Sequence, residues 1–134
     1  MDKQIIQLIG KQYKACGRGP DVYDCWGLAI AASKIINGIE IPDYKLDPAN
    51  TEQNAFLADV ATNDGSWEQI TAAEPKPGLI VAFQFVAPGL ITHVGVTIGS
   101  GRFIQCSNKK GVTIEMLKKY QKLIEGYYEY TGKK

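Results

Sequence analysis

The spacing of the apolar residues changes along the chain, and this change restricts the fold more than any other feature. In the N-terminal part the apolar residues recur every three or four positions, as on one face of a helix. From Trp67 onward they form short runs or alternate with polar residues, as in β-strands. Helices followed by consecutive strands predict an α+β fold with an antiparallel sheet. Because the 134 residues contain no internal repeat and no low-complexity segment, we expect a single domain over residues 1–134.

Helix and turn signals give approximate positions for the elements. A first amphipathic helix is predicted over residues 4–13, and a second begins after Asp24, a good N-cap residue, and ends at Asn37-Gly38. A third helix is expected over residues 51–61. The remaining predicted elements are the strands Leu79–Phe85, Ile91–Ile98, Phe103–Ser107 and Val112–Ile114, a short helix at 115–122 and a strand at 124–130.

Charge and composition exclude several classes of protein. Lys and Arg total 15 against 14 Asp and Glu, so we expect no nucleic-acid partner, and the Lys pairs, including Lys109-Lys110, are expected to be solvated surface. No run approaches the ~20 apolar residues of a membrane span. Residues 1–7 lack the apolar stretch of a signal peptide, so we expect synthesis in the cytoplasm. Three cysteines, an odd number, argue against a disulfide framework.

Cys25 is the first candidate for chemistry. It follows the predicted N-cap Asp24 and therefore lies in the first turn of an apolar helix. The helix dipole and the free N–H groups there favour a thiolate, so we expect a pKa below the unperturbed value of about 8.5. The first N–H groups of the helix are also candidate oxyanion donors. A buried structural cysteine is the alternative interpretation.

His93 is the only histidine of the chain and therefore the one candidate base for a Cys–His enzyme. Strand alternation directs it away from the main apolar set, and Gly95 is expected to leave open space beside it. In a hairpin centred on Gly99, Gln105 lies roughly opposite His93 on the same face. Its carbonyl can accept a hydrogen bond from one ring nitrogen and direct the other towards Cys25. A lone surface histidine is the alternative.

The other polar candidates have weaker signals. Tyr13 is a candidate oxyanion or substrate hydrogen-bond donor, although its place at the end of an apolar helix face favours a core role. Cys106 alternates with Gln105 and is expected to be buried and inert. A zinc site from Cys16, Cys25, His93 and Cys106 is conceivable, but the chain lacks the ligand spacing of such sites, so no metal and no cofactor are expected.

Taken in order, these residues resemble the NlpC family of cell-wall peptidases, also written NlpC/P60. The resemblance extends over about residues 5–130, nearly the whole chain. Single motifs are short, but their order along the chain is specific. The landmarks are Tyr13, the segment Asp24–Leu28, Pro77-Gly78 before a strand, the segment His93–Val96 and the segment Gly101–Gln105.

The resemblance implies a papain-like fold in which the nucleophile helix packs on an antiparallel sheet. It implies a cysteine endopeptidase that hydrolyses the γ-D-glutamyl to diamino-acid bond of peptidoglycan stem peptides. In that scheme Cys25 is the nucleophile, His93 the base, Gln105 the group that orients the base, and Tyr13 a donor on the oxyanion side. A thioester intermediate would then be hydrolysed by water.

The two neighbours of Cys25, Asp24 and Trp26, are expected on the substrate and oxyanion side. The family more often has Ser in place of Trp26, His in place of Gln105 and Asp in place of Leu79. The segments 24–28 and 38–44 resemble members found in tail-assembly proteins of tailed phages. The resemblance therefore implies, besides the stem peptide, tail proteins as partners and delivery to the cell wall in a phage or prophage tail.

Two other functions remain open from the sequence. One is a tail-assembly or structural protein that keeps the fold with little hydrolase activity. The other is a cysteine amidase or acyltransferase that acts on another amide or ester.

Overall fold

The computed structural model describes residues 2–43, 66–71, 75–85, 88 and 91–132. The predicted helix at 51–61 lies outside the described residues. The elements are α1 (Lys3–Leu8), β1 (Gln12–Tyr13), β2 (Val22–Tyr23), α2 (Cys25–Asn37), β3 (Trp67–Ile70), β4 (Ile80–Phe83), β5 (His93–Gly99), β6 (Arg102–Ser107), β7 (Gly111–Met116), a 3₁₀ helix (Leu117–Leu123) and β8 (Ile124–Tyr130).

The main sheet has six strands in the order β3-β8-β4-β5-β6-β7, and neighbouring strands are antiparallel. Strands β4 to β7 form the expected meander. The last strand, β8, returns past this meander and pairs between β3 and β4. The α+β class with an antiparallel sheet is confirmed, and among the described residues no helix is long and apolar enough to cross a membrane.

Helix α2 has the two ends that its sequence predicts. The Asp24 side chain accepts a hydrogen bond from the Gly27 N–H at 2.6 Å, and Gly38 ends the helix in the left-handed conformation with φ 67°. Its apolar face packs on β5 and β6. The core between helix and sheet includes Trp26, Leu28, Ala29, Ala32, Val94, Val96, Ile104 and Cys106. The helix that begins with Cys25 is therefore anchored along its length.

The first helix is shorter than predicted. It ends at Leu8 rather than at residue 13, because Gly10 takes a φ of +89° and leaves the helical path. The Gly10 N–H then donates to the carbonyl of Val112 at 3.0 Å, which directs the chain along the edge of β7. Tyr13 consequently lies in β1, which pairs in parallel with β2, and not on a helix face.

The β5–β6 hairpin has a different register from the one expected. Val96 pairs with Ile104 and Thr97 with Phe103, and a bulge follows before Gly99 pairs with Arg102. Three pairs beyond Val96 and Ile104, the same register would place residue 107, and not Gln105, opposite His93. Gln105 is thus a diagonal neighbour of His93. Both side chains still lie on the same face of the sheet, because the offset is two residues.

The C-terminal part covers the face of the sheet opposite α2. The helix predicted at 115–122 is a 3₁₀ helix at Leu117–Leu123, because β7 continues to Met116. Leu117 of this helix packs with Val81, Phe83 and Phe103 in a second apolar cluster. The last strand has the expected bounds of 124–130. Both faces of the central strands are therefore buried.

Candidate active site

Cys25 is the first residue of α2 and lies where this helix meets β5. Its side chain is buried, with 8% of the residue exposed. The backbone N–H groups of Val94 and Trp26 lie close enough to its sulfur to favour the thiolate. Because Val94 follows His93 directly, the sulfur lies beside the strand end that carries the histidine.

The His93 ring is held by Gln105 and by two phenylalanines. Its Nε2 lies 2.8 Å from Oε1 of Gln105, and because the amide oxygen only accepts, Nε2 carries the proton of the neutral ring. The lone pair is therefore on Nδ1. The Phe83 and Phe85 rings pack against the imidazole with centroid distances of 5.6 Å each. The hydrogen bond predicted between His93 and Gln105 is present, despite the changed register.

The space beside Gly95 is not open as expected. A Cβ atom at Gly95 would lie 2.9 Å from the Phe103 ring and 2.9 Å from the Ile104 carbonyl oxygen. Gly95 therefore permits close packing of β5 on β6, and it is not among the described residues that line the cavity next to His93.

The cysteine and the histidine both rest uncharged at neutral pH. Burial, followed by the charge of Asp24, raises the pKa of Cys25 to about 11, although the Val94 and Trp26 N–H groups and Arg18 oppose this rise. The prediction of a lowered thiol pKa is wrong because the cost of burying a thiolate exceeds the effect of the helix N-terminus. Burial also lowers the pKa of His93 to about 4, against the opposing effect of its hydrogen bond to Gln105.

A cavity of about 530 Å³ joins the candidate site residues. Tyr13, Cys25, His93 and Gln105 all line it, although they come from β1, α2, β5 and β6. Tyr13 also packs against the main core with its partly buried ring, whereas its role as a hydrogen-bond donor stays a prediction. The structure therefore brings together a thiol, an imidazole, an amide and a phenol at one open cleft.

Asp24 and Trp26 are not among the described residues that line this cavity. The Asp24 side chain is fully buried, and its Oδ1 accepts from Arg18 at 2.7 Å as well as from the Gly27 N–H. The Trp26 indole donates to the carbonyl of Pro42 at 3.0 Å and packs against Trp67. Their side chains hold the start of α2 in place and do not contact the cavity.

The other two cysteines differ in their surroundings. Cys106 is buried as expected, with 1% of the residue exposed, and its thiol donates to the Tyr23 carbonyl at 3.3 Å. Burial is the main cause that raises the Cys106 pKa to about 12. Cys16 is exposed. Within the described part of the chain, no group of three or more His, Cys, Asp or Glu residues is arranged to hold a metal ion.

Several cavity residues were missed by the sequence reasoning. Phe85 and Tyr120 line the cavity, and so do Glu115 and residues 107–110, which include two lysines assigned to solvated surface. The lysines follow Gln105 by only four and five positions, across the turn after the same strand. That short separation from Gln105 could have predicted that the lysines lie near the site. No local feature of the sequence indicated that Tyr120 lies near His93.

A cysteine at the start of a helix, packed against an antiparallel sheet that carries a histidine held by a side-chain amide, is the arrangement of papain-like α+β proteins. The fold and the site place this molecule in that class. The chain belongs to the NlpC/P60 family, whose family model matches residues 10–129.

Similar proteins include murein DD-endopeptidase MepH of Escherichia coli strain K12, which is 33% identical over 132 residues covering 96% of this chain and 42% of that protein. The structure of NlpC1 from Trichomonas vaginalis is 28% identical with a TM-score of 0.70, over 96% of this chain and 42% of that one. The structure of NlpC2 from the same organism is 28% identical with a TM-score of 0.69, over 94% of this chain and 44% of that one. The chain thus spans less than half the length of each of these relatives.

Proposed function

We propose that this protein is a cysteine endopeptidase that hydrolyses peptidoglycan peptides, with Cys25 as nucleophile, His93 as base and Gln105 as the residue that orients the base. One observation carries the proposal: Cys25 and His93 line the same cavity, and the Gln105 amide holds Nε2 of His93 and leaves Nδ1 free to accept a proton. The named activity of the murein endopeptidase relative supports the substrate class.

Acylation begins from the uncharged pair. As the Cys25 sulfur attacks the amide carbonyl, its proton passes to Nδ1 of His93, and a carbon–sulfur bond forms. The Gln105 carbonyl stabilises the resulting imidazolium through the Nε2–H bond. His93 then gives the proton to the leaving nitrogen, the carbon–nitrogen bond breaks, and a thioester remains on Cys25.

Deacylation uses the same groups. A water molecule loses a proton to Nδ1 of His93 as it attacks the thioester. When the carbon–sulfur bond breaks, His93 returns this proton to the sulfur, which restores the thiol of Cys25 and releases the carboxylic acid. Tyr13 is the proposed donor to the oxyanion in both halves, because it lines the cavity with Cys25. The side chains of Asp24 and Trp26, predicted on this side, fix the start of α2, and the Asp24 charge also raises the pKa of Cys25.

Two bonds of the substrate are candidates. The family resemblance implies the γ-D-glutamyl to diamino-acid bond within one stem peptide. The relative named a DD-endopeptidase favours a bond between two D-configured centres as the second candidate. Both are amides, so the same acyl transfer would serve either, and the products distinguish them.

Synthesis in the cytoplasm and delivery to the cell wall with a phage or prophage tail are also part of the proposal. The delivery is supported by the segments 24–28 and 38–44, which resemble tail-assembly members of the family.

The test is incubation of the purified chain with defined stem peptides and cross-linked dimers, followed by mass spectrometry of the products. We expect cleavage by the wild type and none by Cys25→Ala or His93→Ala, because one removes the nucleophile and the other the base. Cys16→Ser is the matched control, since Cys16 is exposed and is not among the residues lining the cavity.

The outcomes also separate the alternatives. Full cleavage by Cys25→Ala would overturn the assignment of the nucleophile. A folded wild type that leaves every peptide intact would favour the tail-assembly function. Transfer to an added amine or alcohol in preference to water would favour the acyltransferase.

A further inference from the structure

The β6–β7 turn forms one rim of the catalytic cavity and presents two lysines there. Residues 107–110 line the cavity, and Lys109 and Lys110 are exposed. Among the described residues, neither ammonium group forms an ion pair with a carboxylate, whereas Lys34, Lys76 and Lys119 each do. Two unpaired cations therefore stand at the cleft that contains Cys25 and His93.

The backbone of this turn is fixed. Ser107 pairs with Gly111 to close the hairpin, and the Lys110 N–H donates to the Ser107 hydroxyl at 3.1 Å. Gly111 has a φ of +72°, and a Cβ there would lie 2.3 Å from the Lys11 carbonyl. That carbonyl also accepts the Val112 N–H at 2.9 Å. The turn is thus packed on the segment that leads to Tyr13, and both lysine stems start from defined positions.

The other groups of the cavity do not neutralise these cations. Cys25 and His93 are uncharged at neutral pH, given pKa values of about 11 and about 4. Glu115 is the only acidic residue among the described residues lining the cavity, and it is already engaged, with Thr113 donating to one oxygen at 3.0 Å and Lys119 3.6 Å from the other. The rim beside Ser107 is therefore positively charged.

We propose that Lys109 and Lys110 form a subsite for a free carboxylate of the stem peptide, so that the enzyme discriminates against amidated peptides. This inference rests on the proposed function. A γ-linked glutamyl residue keeps its α-carboxylate, and a dicarboxylic diamino acid keeps one beyond its peptide bonds. Amidation replaces either anion with a neutral group that two ammonium groups attract far less.

The experiment compares three synthetic stem peptides: one with both carboxylates free, one amidated at the glutamyl residue and one amidated at the diamino acid. For the wild type we expect one amidation to lower kcat/KM about two- to fivefold by raising KM, because exposed ion pairs are worth at most about 1 kcal/mol. The amidated peptide with the lower kcat/KM identifies which carboxylate binds. The preference should weaken at high salt, since the lysines are exposed to solvent.

The variant Lys109→Gln/Lys110→Gln should raise KM for the free peptide and abolish the preference, while kcat stays near that of the wild type. Lys118→Gln is the matched control, because Lys118 is exposed but lines a different cavity, together with Tyr127 and Met116. Equal turnover of all three peptides by the wild type, or a preference that survives in the double variant, would overturn the subsite alone. No turnover of any peptide would overturn the proposed function and the subsite with it.

Discussion

At the scale of single residues, the resting site is a neutral thiol beside a neutral imidazole. Burial sets this state, since it opposes both the thiolate of Cys25 and the imidazolium of His93. In the proposed mechanism the charged pair forms during attack on the substrate, when the developing oxyanion and the Gln105 carbonyl stabilise it. Gln105 therefore contributes most when His93 is positively charged.

Replacement of Gln105 tests this contribution. We expect Gln105→Ala to lower kcat by roughly 10- to 100-fold, because a hydrogen bond to a charged group is worth about 1.5–3 kcal/mol. KM should change little. Since the Gln105 bond raises the pKa of His93, the acid limb of kcat/KM should also move to lower pH in this variant.

The matched variant is Gln105→Glu, which keeps an acceptor and adds a negative charge. A carboxylate there favours the imidazolium, so the acid limb should move to higher pH. Identical profiles for wild type, Gln105→Ala and Gln105→Glu would show that the 2.8 Å contact plays no part in turnover.

At the scale of elements, the start of α2 is held against the loop before β2 with no room for a side chain at Gly27. A Cβ there would lie 2.0 Å from the Gly17 carbonyl oxygen. That oxygen cannot easily move, because it accepts the Asp24 N–H at 3.1 Å and the Arg18 guanidinium at 3.0 Å. The position of the Cys25 sulfur thus depends on a backbone contact two residues further along the helix.

We expect Gly27→Ala to reduce the free energy of unfolding by about 3 kcal/mol, the upper end of the usual cost of overpacking, because a backbone atom must be displaced. Gly38→Ala at the other end of the same helix is the control. A Cβ atom at position 38 has no other atom within 4 Å. The only cost of Gly38→Ala is therefore the left-handed backbone with φ +67°, about 1–2 kcal/mol. Urea unfolding of both variants measures the difference, and equal losses would mean that the Gly17 loop yields readily.

The elements that could be predicted are those whose signals are local. Asp24 and Gly38 fix both ends of α2, and residues 124–130 are a strand as their composition indicates. The Cys25 pKa and the β5–β6 register could not be predicted in this way. The first depends on burial by other elements, and the second on a bulge near Gly99. The pairing of β8 with β3 and β4 is likewise a contact between distant parts of the chain.

At the scale of the whole molecule, the partly buried His93 makes stability depend on pH. The pKa of His93 is about 4 in the folded protein against an ordinary value of 6.5. Between these values the unfolded chain binds one proton more than the folded chain, so the free energy of unfolding rises with pH there. Stability contributed by neutral His93 is present above pH 6.5 and is lost as the pH falls towards 4.

The contribution should be on the order of 3 kcal/mol, at 1.36 kcal/mol for each unit of pKa difference. Urea unfolding of the wild type and His93→Asn at several values between pH 4 and pH 7 isolates it, because the carboxylates common to both proteins cancel in the difference. We expect the wild type to lose stability relative to the variant as the pH falls. If the difference in free energy of unfolding between wild type and variant stays constant over this range, His93 is solvated in the folded state. Burial would then no longer explain why His93 and Cys25 are uncharged at rest.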